Sequence, residues 1–340
     1  MAGVSAGTVD RVLHKRGRVS DDAMQKVSHA LKKIDYQPNL IARSLASKKT
    51  FCIIACIPSF KPGEYWEEVS KGIDAVEREF ADFHLQVERI FFDQYDRDSF
   101  DQAAKKLTSA SFQGAIIAPL FKDSVYKLTQ KMDVKKIPYL FIDSYIQDTN
   151  CLAYFGIDSY RSGHISGRLL FEKILPDDNI LLFHLITKGS IESTQVSMRE
   201  KGFRDYLATS GFTGKIFPLS VSSESPEDNT KQLDAFLQKA PSVKAGIIFN
   251  SRIHIIAPYF IDRQLADFFL IGYDAIQANI DFLKNGIVSH LIAQRPEVQG
   301  YNSVKAIFQH LAFNLNIEKV NFMPIDILIK ENIEYYNNYI

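Results

Sequence analysis

Apolar positions recur along this chain with two different periods. In the first fifty residues the period is helical. Val9, Val12 and Leu13 stand at i, i+3 and i+4 and predict a short amphipathic helix, with Ala6, Gly7, Asp10, Arg11 and His14 on its other side. Ser5 precedes it with a hydroxyl able to cap the first-turn N–H groups. After Ser20, the residues Ala23, Val27, Ala30, Leu31 and Ile34 repeat the pattern, and Asp21 and Asp22 put acids at the positive end of the helix dipole. Tyr36-Gln37-Pro38-Asn39 stops this second helix, because a residue before proline avoids the α region. Asn39 can then cap a short segment over 40–46.

From Phe51 onward the pattern changes. Apolar runs at 52–58, 85–92, 114–119, 138–142, 180–185, 216–219, 245–249, 268–271 and 288–293 read as strands. Amphipathic stretches at 64–80, 100–109, 161–174, 195–208 and 297–311 lie between them. A βαβ succession predicts parallel sheets covered by helices, and the number of strands exceeds one comfortable sheet. A split near 158–162 into two similar halves is the simplest solution. Ligands of such sheets sit beyond the carboxyl ends of the strands.

Charge sharpens the division. The whole chain is neutral, with 40 basic and 40 acidic residues, yet residues 1–49 hold ten Lys/Arg against four Asp, a net of +6. A basic head on a neutral body is the pattern of a nucleic-acid-binding module joined to an ordinary soluble domain. Small residues followed one turn later by Arg11 suit a helix face that enters a major groove, where the backbone comes close and a guanidinium reaches a base or a phosphate. With 340 residues, 46% hydrophobic and 24% charged, the chain is long enough for two or three domains. It carries no run of about 18 apolar residues and no charged-then-apolar leader, so no membrane partner and a cytoplasmic location are expected. Cys52 and Cys56 are too far apart along one strand for a bridge, and Cys151 stands alone. Reduced thiols are expected.

Four separated blocks carry a family resemblance: AlaGlyValSer-x-x-ThrVal-x-ArgVal-Leu at 2–13, ValSer at 19–20, TyrGlnProAsn at 36–39 and AlaArgSerLeu at 42–45. They resemble the LacI/GalR family of transcriptional regulators. The resemblance implies that the helix after Ser5 is the recognition helix of a helix-turn-helix. Ala6, Gly7 and Arg11 would face bases, and Ser5, Thr8, His14, Ser20 and Asn39 would belong to the same DNA-binding set. The segment 40–46 would be a hinge helix whose Leu45 wedges into the minor groove. Asp10 departs from the Ser common there. The family's first helix precedes AlaGlyValSer, whereas this chain starts at Met1-Ala2, so a head lacking its first helix is expected.

For the body, the resemblance implies a two-lobed, type I periplasmic-binding-protein-like α/β core over 50–340. Lobe 1 would span about 51–160 and 294–320, and lobe 2 about 161–293 and 321–340. The small all-α head would span 1–49. Effector-binding candidates are Ser59, Phe60, Tyr65 and Trp66 after the first strand, with Asp143, Arg199, Asn250, Asp274 and Gln294 at later strand ends or helix starts. Carboxylates and an Arg suit a sugar, whose hydroxyls donate to the one and accept from the other. Ser144 stands where related pockets often carry Arg, and Ser251 where Asp commonly follows Asn.

Reaction chemistry is not indicated. The eight His show no metal-ligand spacing, there is no CysxxCys, and no GlyxGlyxxGly follows a strand. Gly163 and Gly167 read as close helix packing. The expected function is a ligand-responsive repressor with no cofactor. It would act as a homodimer on a palindromic operator and sense a small-molecule effector, a sugar. The alternative is a sugar-binding receptor or a cytoplasmic sensor of the same fold without DNA binding.

Overall fold

The computed structural model describes residues 2–13, 17–33, 50–186, 193–239, 242–265 and 267–336. The chain divides into two units, residues 1–49 and residues 50–340.

In the first unit, helix α1 (Ala6–Leu13) starts where Ser5 Oγ accepts from the Thr8 N–H at 3.2 Å. Helix α2 (Asp21–Lys33) starts where Ser20 Oγ accepts from the Ala23 N–H at 3.4 Å. Its first turn carries Asp21 and Asp22 and its last Lys32 and Lys33, so both ends complement the dipole. Val27 is buried, while Val9 and Val12 are half-buried. Ile34 and the segment 40–46 lie outside the described residues.

The second unit holds two six-stranded sheets built alike. The first comprises β1 (Phe51–Pro58), β2 (Leu85–Phe92), β3 (Gly114–Ile117), β4 (Tyr139–Ile142) and β5 (Ala153–Gly156), completed by β11 (Val320–Phe322). Its spatial order is β2-β1-β3-β4-β5-β11, parallel throughout. The second comprises β6 (Asn179–Ile186), β7 (Ile216–Ser222), β8 (Val243–Ile248), β9 (Phe269–Tyr273) and β10 (His290–Ala293), completed by β12 (Asp326–Leu328). Its order is β7-β6-β8-β9-β10-β12, parallel except for the last strand. Ile53, Ile54, Ala55, Cys56 and Ile57 in consecutive positions are all fully buried, as a parallel strand covered on both faces requires. The strand β5 is absent from the sequence expectation: its four residues show no alternation and are too short for a periodic signal. All three cysteines are free.

Each lobe has one closely packed helix pair. In lobe 1, α3 (Tyr65–Glu79) packs on α11 (Pro296–Phe313), and in lobe 2, α6 (Ser159–Phe171) packs on α7 (Thr194–Thr209). Each contact is made by reciprocal glycines. A Cβ on Gly72 would overlap the Glu297 carbonyl, and one on Gly300 the Val69 carbonyl. In lobe 2, Gly163 meets the Arg199 carbonyl and Gly202 the Tyr160 carbonyl in the same way.

The chain passes between lobes three times: after β5, after β10, and between β11 and β12. Asn321 pairs with Phe155 in the first sheet, so the last passage falls at 323–325, a few residues past the expected 320/321 boundary. Arg295 Nε donates to Asp326 at 2.7 Å and ties the second passage to the third.

Candidate functional site

The fourth strand of each lobe ends on an aspartate in the left-handed region, Asp143 with φ +69° and Asp274 with φ +65°. Each donates its backbone N–H to the neighbouring strand, Asp143 to Phe155 O and Asp274 to Ile292 O, both at 2.9 Å. This sharp exit turns both side chains away from the continuing strand direction and into the space between the lobes, where both line one cavity. Both are buried.

Between them stands Arg199, four residues into α7 from the Gln195 side and 1% exposed. Its Nη1 donates to Phe249 O at 2.8 Å, and the guanidinium lies 4.2 Å from the Tyr273 ring centroid. Its Nε and Nη2 are buried with no hydrogen-bond partner. An uncompensated guanidinium N–H is costly in the interior, and such donors are expected to meet a ligand acceptor.

Asp143 is well supplied with donors. Tyr65 OH reaches Oδ1 at 2.8 Å, Gln195 Nε2 reaches the same oxygen at 3.0 Å, and Ser144 Oγ reaches Oδ2 at 3.3 Å. Asp274 receives Gln294 Nε2 at 2.9 Å on Oδ1. Burial pushes the carboxyls of both aspartates up, and Arg199 opposes this; Asp274 is raised to about 6. The Tyr65 hydroxyl is also pushed well up, by burial and by the Asp143 charge, and stays a donor.

The cavity between the lobes has a volume of about 370 Å³. Seven of the nine sequence-derived candidates line it: Tyr65, Trp66, Asp143, Arg199, Asn250, Asp274 and Gln294. Tyr65 and Trp66 pack edge-to-face at 5.2 Å where α3 begins. Asn250 follows β8 and accepts from the Arg252 N–H at 3.0 Å, holding the loop at the rim. Ser59 and Phe60 do not line the cavity. After Pro58 the chain leans over the edge strand: the Ser59 N–H and hydroxyl both donate to Phe92 O, and Phe60 packs on Phe91 at 5.7 Å.

Sequence reasoning missed Gln195, Gln299, Glu64 and Arg252. Gln195 sits one turn before Arg199 on the same helix face, a spacing that could have revealed it. Gln299 Nε2 donates to the Gln294 backbone carbonyl at 2.7 Å and fixes the backbone from which that side chain projects. Arg252 Nη2 donates to Glu64 Oε1 at 3.0 Å across the mouth, an ion pair between residues 188 positions apart that no local pattern announces. Burial pushes Glu64 up, but the Lys61 N–H and Arg252 outweigh it, so its pKa is lowered. Among the described residues no three His, Cys, Asp or Glu side chains gather as a metal site.

On the head, Ser5, Ala6, Gly7, Arg11 and Ser20 are exposed and Thr8 is half-buried. Arg11 Nε folds back onto Gly7 O at 3.1 Å, which keeps the guanidinium on the small-residue face. His14, Asn39 and Leu45 lie outside the described residues.

Comparison with known proteins covers both units. Residues 54–315 match the periplasmic binding protein domain, and residues 1–39 match the bacterial regulatory proteins of the lacI family. A crystal structure described as a LacI transcriptional regulator from Bacteroides fragilis is 37% identical, with a TM-score of 0.80, over 85% of this chain and 100% of that one. The ribose operon repressor of Lactococcus lactis is 23% identical over 98% of this chain and 95% of its own length. A glucose-galactose binding protein from Geobacillus stearothermophilus shares the fold, at 21% identity and a TM-score of 0.71, over 84% of this chain and 99% of that one.

Proposed function

The chain belongs to the lacI family of bacterial regulatory proteins, with a periplasmic binding protein domain as its body, and on that premise we propose that it represses transcription until a sugar enters the cleft. It is a ligand-responsive DNA-binding regulator and not an enzyme. The observation that carries the sensing half is Arg199, buried between two aspartates with two N–H groups unpartnered. A sugar hydroxyl or ring oxygen accepts from those groups while neighbouring hydroxyls donate to Asp143 and Asp274. Trp66 supplies an aromatic face for the apolar side of the ring. The name of the Lactococcus relative supports a sugar effector, as does that of the Geobacillus fold neighbour.

The DNA half of the proposal uses the exposed face of α1. Ala6, Gly7 and Arg11 meet base edges in the major groove, and Ser5, Thr8, His14, Ser20 and Asn39 position the head. Leu45 wedges the centre of a palindromic site that a cytoplasmic homodimer spans with two heads. Ligand-driven closure of the lobes and DNA binding are then coupled by a free energy that works in both directions.

Footprinting of the promoter region of the protein's own gene, with and without a sugar that stabilises the protein, tests this. The expected result is protection of a palindrome at low salt that the sugar relieves. No protection under any effector condition overturns the regulator reading.

A further inference from the structure

The balance of charge in the cleft discriminates between classes of sugar. This step rests on the sugar-sensing reading above and specifies its ligand. Arg199 is the one deep cation among the described lining residues, and two carboxylates flank it. The one other guanidinium of the described lining is compensated. Arg252 is held by Glu64 at 3.0 Å, and His184 Nε2 lies 3.7 Å from the Glu200 carboxylate. The described lining therefore offers no cation whose charge a ligand could claim without also meeting a carboxylate.

We propose that the cleft takes a single uncharged sugar ring or polyol and excludes the phosphorylated and carboxylic-acid forms of the same sugar. A phosphate or carboxylate could satisfy the free Nε and Nη2 of Arg199. It would then be pressed against Asp143 and Asp274 in a site that water reaches poorly, where repulsion between like charges is strongly felt. Hydroxyl groups avoid this conflict, since one hydroxyl accepts from the guanidinium while its own proton or a neighbour's goes to a carboxylate. Size argues the same way, because about 370 Å³ lies near the lower end of the roughly 300–1,000 Å³ of ligand pockets. Tyr65 and Gln195 also occupy Asp143 Oδ1, one from each lobe, leaving little room to widen the site around that carboxylate.

The test is calorimetric titration of the full chain, alongside Trp66 fluorescence. The panel comprises neutral aldopentoses, aldohexoses and their alditols, together with the sugar phosphates and aldonic acids made from each. At least one neutral sugar is expected to bind, with its phosphate and acid weaker by about 100-fold or more, the size of a like-charge penalty of a few kcal/mol. In Asp274→Asn the neutral sugar should weaken while the ratio of acid to neutral affinity rises about tenfold. A phosphate or acid that binds the unaltered protein as tightly as its neutral parent overturns the inference and leaves sugar sensing intact. An unchanged ratio in Asp274→Asn overturns the charge explanation. Failure of every compound to bind overturns sugar sensing itself, and this inference with it.

Discussion

The two lobes repeat one strand order and end their fourth strands on the same residue type in the same left-handed conformation, yet the two carboxylates are held differently. Asp143 accepts from Tyr65, Gln195 and Ser144, donors drawn from both lobes. Among the described side chains Asp274 accepts from Gln294 alone, and burial raises it to about 6. Equivalent backbones therefore produce two kinds of acid: one already bound into the protein, the other carrying an electrostatic cost that ligand hydroxyls can relieve. Folds supply positions, and the few side chains around each position decide its chemistry.

Removing the cation that both acids share should have the largest effect. Arg199→Met leaves two buried carboxylates uncompensated and should lower stability by about 3–5 kcal/mol in urea unfolding at pH 7.5, with less loss at pH 5. Sugar binding should vanish. A variant as stable as the parent at pH 7.5 would show that the two acids do not depend on this guanidinium.

The aspartates themselves should respond to different extents. The folded-state pKa of Asp274, about 6, lies above its ordinary 3.8. Protonated Asp274 therefore favours folding below about pH 4, and this contribution is lost as pH rises through about 6. Asp274→Asn keeps the Gln294 bond and removes the charge, so the ligand-free protein should gain about 1–3 kcal/mol at pH 7.5 and nothing at pH 4. Asp143→Asn keeps the Tyr65 and Gln195 bonds on Oδ1 and disturbs the Ser144 bond to Oδ2, so loss of that bond offsets relief of the buried charge and stability at pH 7.5 should change by less than about 1 kcal/mol. Stability curves across pH 4–8 that moved by equal amounts for both variants would erase the distinction.

The glycine pairs give the finest test. Gly72→Ala and Gly163→Ala both force a helix pair apart and should each cost about 1–3 kcal/mol. Only Gly163 presses on the backbone of Arg199. Gly163→Ala should thus weaken sugar binding about tenfold more than Gly72→Ala, measured by calorimetry on variants matched in melting temperature. Equal losses of affinity would mean that helix spacing does not position the guanidinium.

Much of this was legible in the chain. The run 85–92 became β2 with the same limits, and Ser5 and Ser20 cap the helices they were expected to start. Asp143, Asn250 and Asp274 were found because a polar residue after an apolar run marks a strand end. Ser59 met the same criterion and lies elsewhere, since its chain bends toward β2 and bonds to Phe92 O. Gly163 proved to be a packing contact, as its setting in an amphipathic helix suggested. Gln299 was hidden because a glutamine inside a helix carries no signal until its partner is known.

Residue order alone settles where the longer, periodic helices and strands form, which faces they bury and which polar groups stand at their ends, because periodicity and capping act over a few neighbouring positions; the three- and four-residue strands β5, β11 and β12 are too short for that signal. Folding in three dimensions decides which of those ends meet. Gln195 reaches Asp143 and Arg252 reaches Glu64 across gaps of 52 and 188 positions. Such encounters depend on three chain crossings and on two glycine-tight helix pairs. The cleft exists only where long-range packing overlays contacts that no stretch of neighbouring residues encodes.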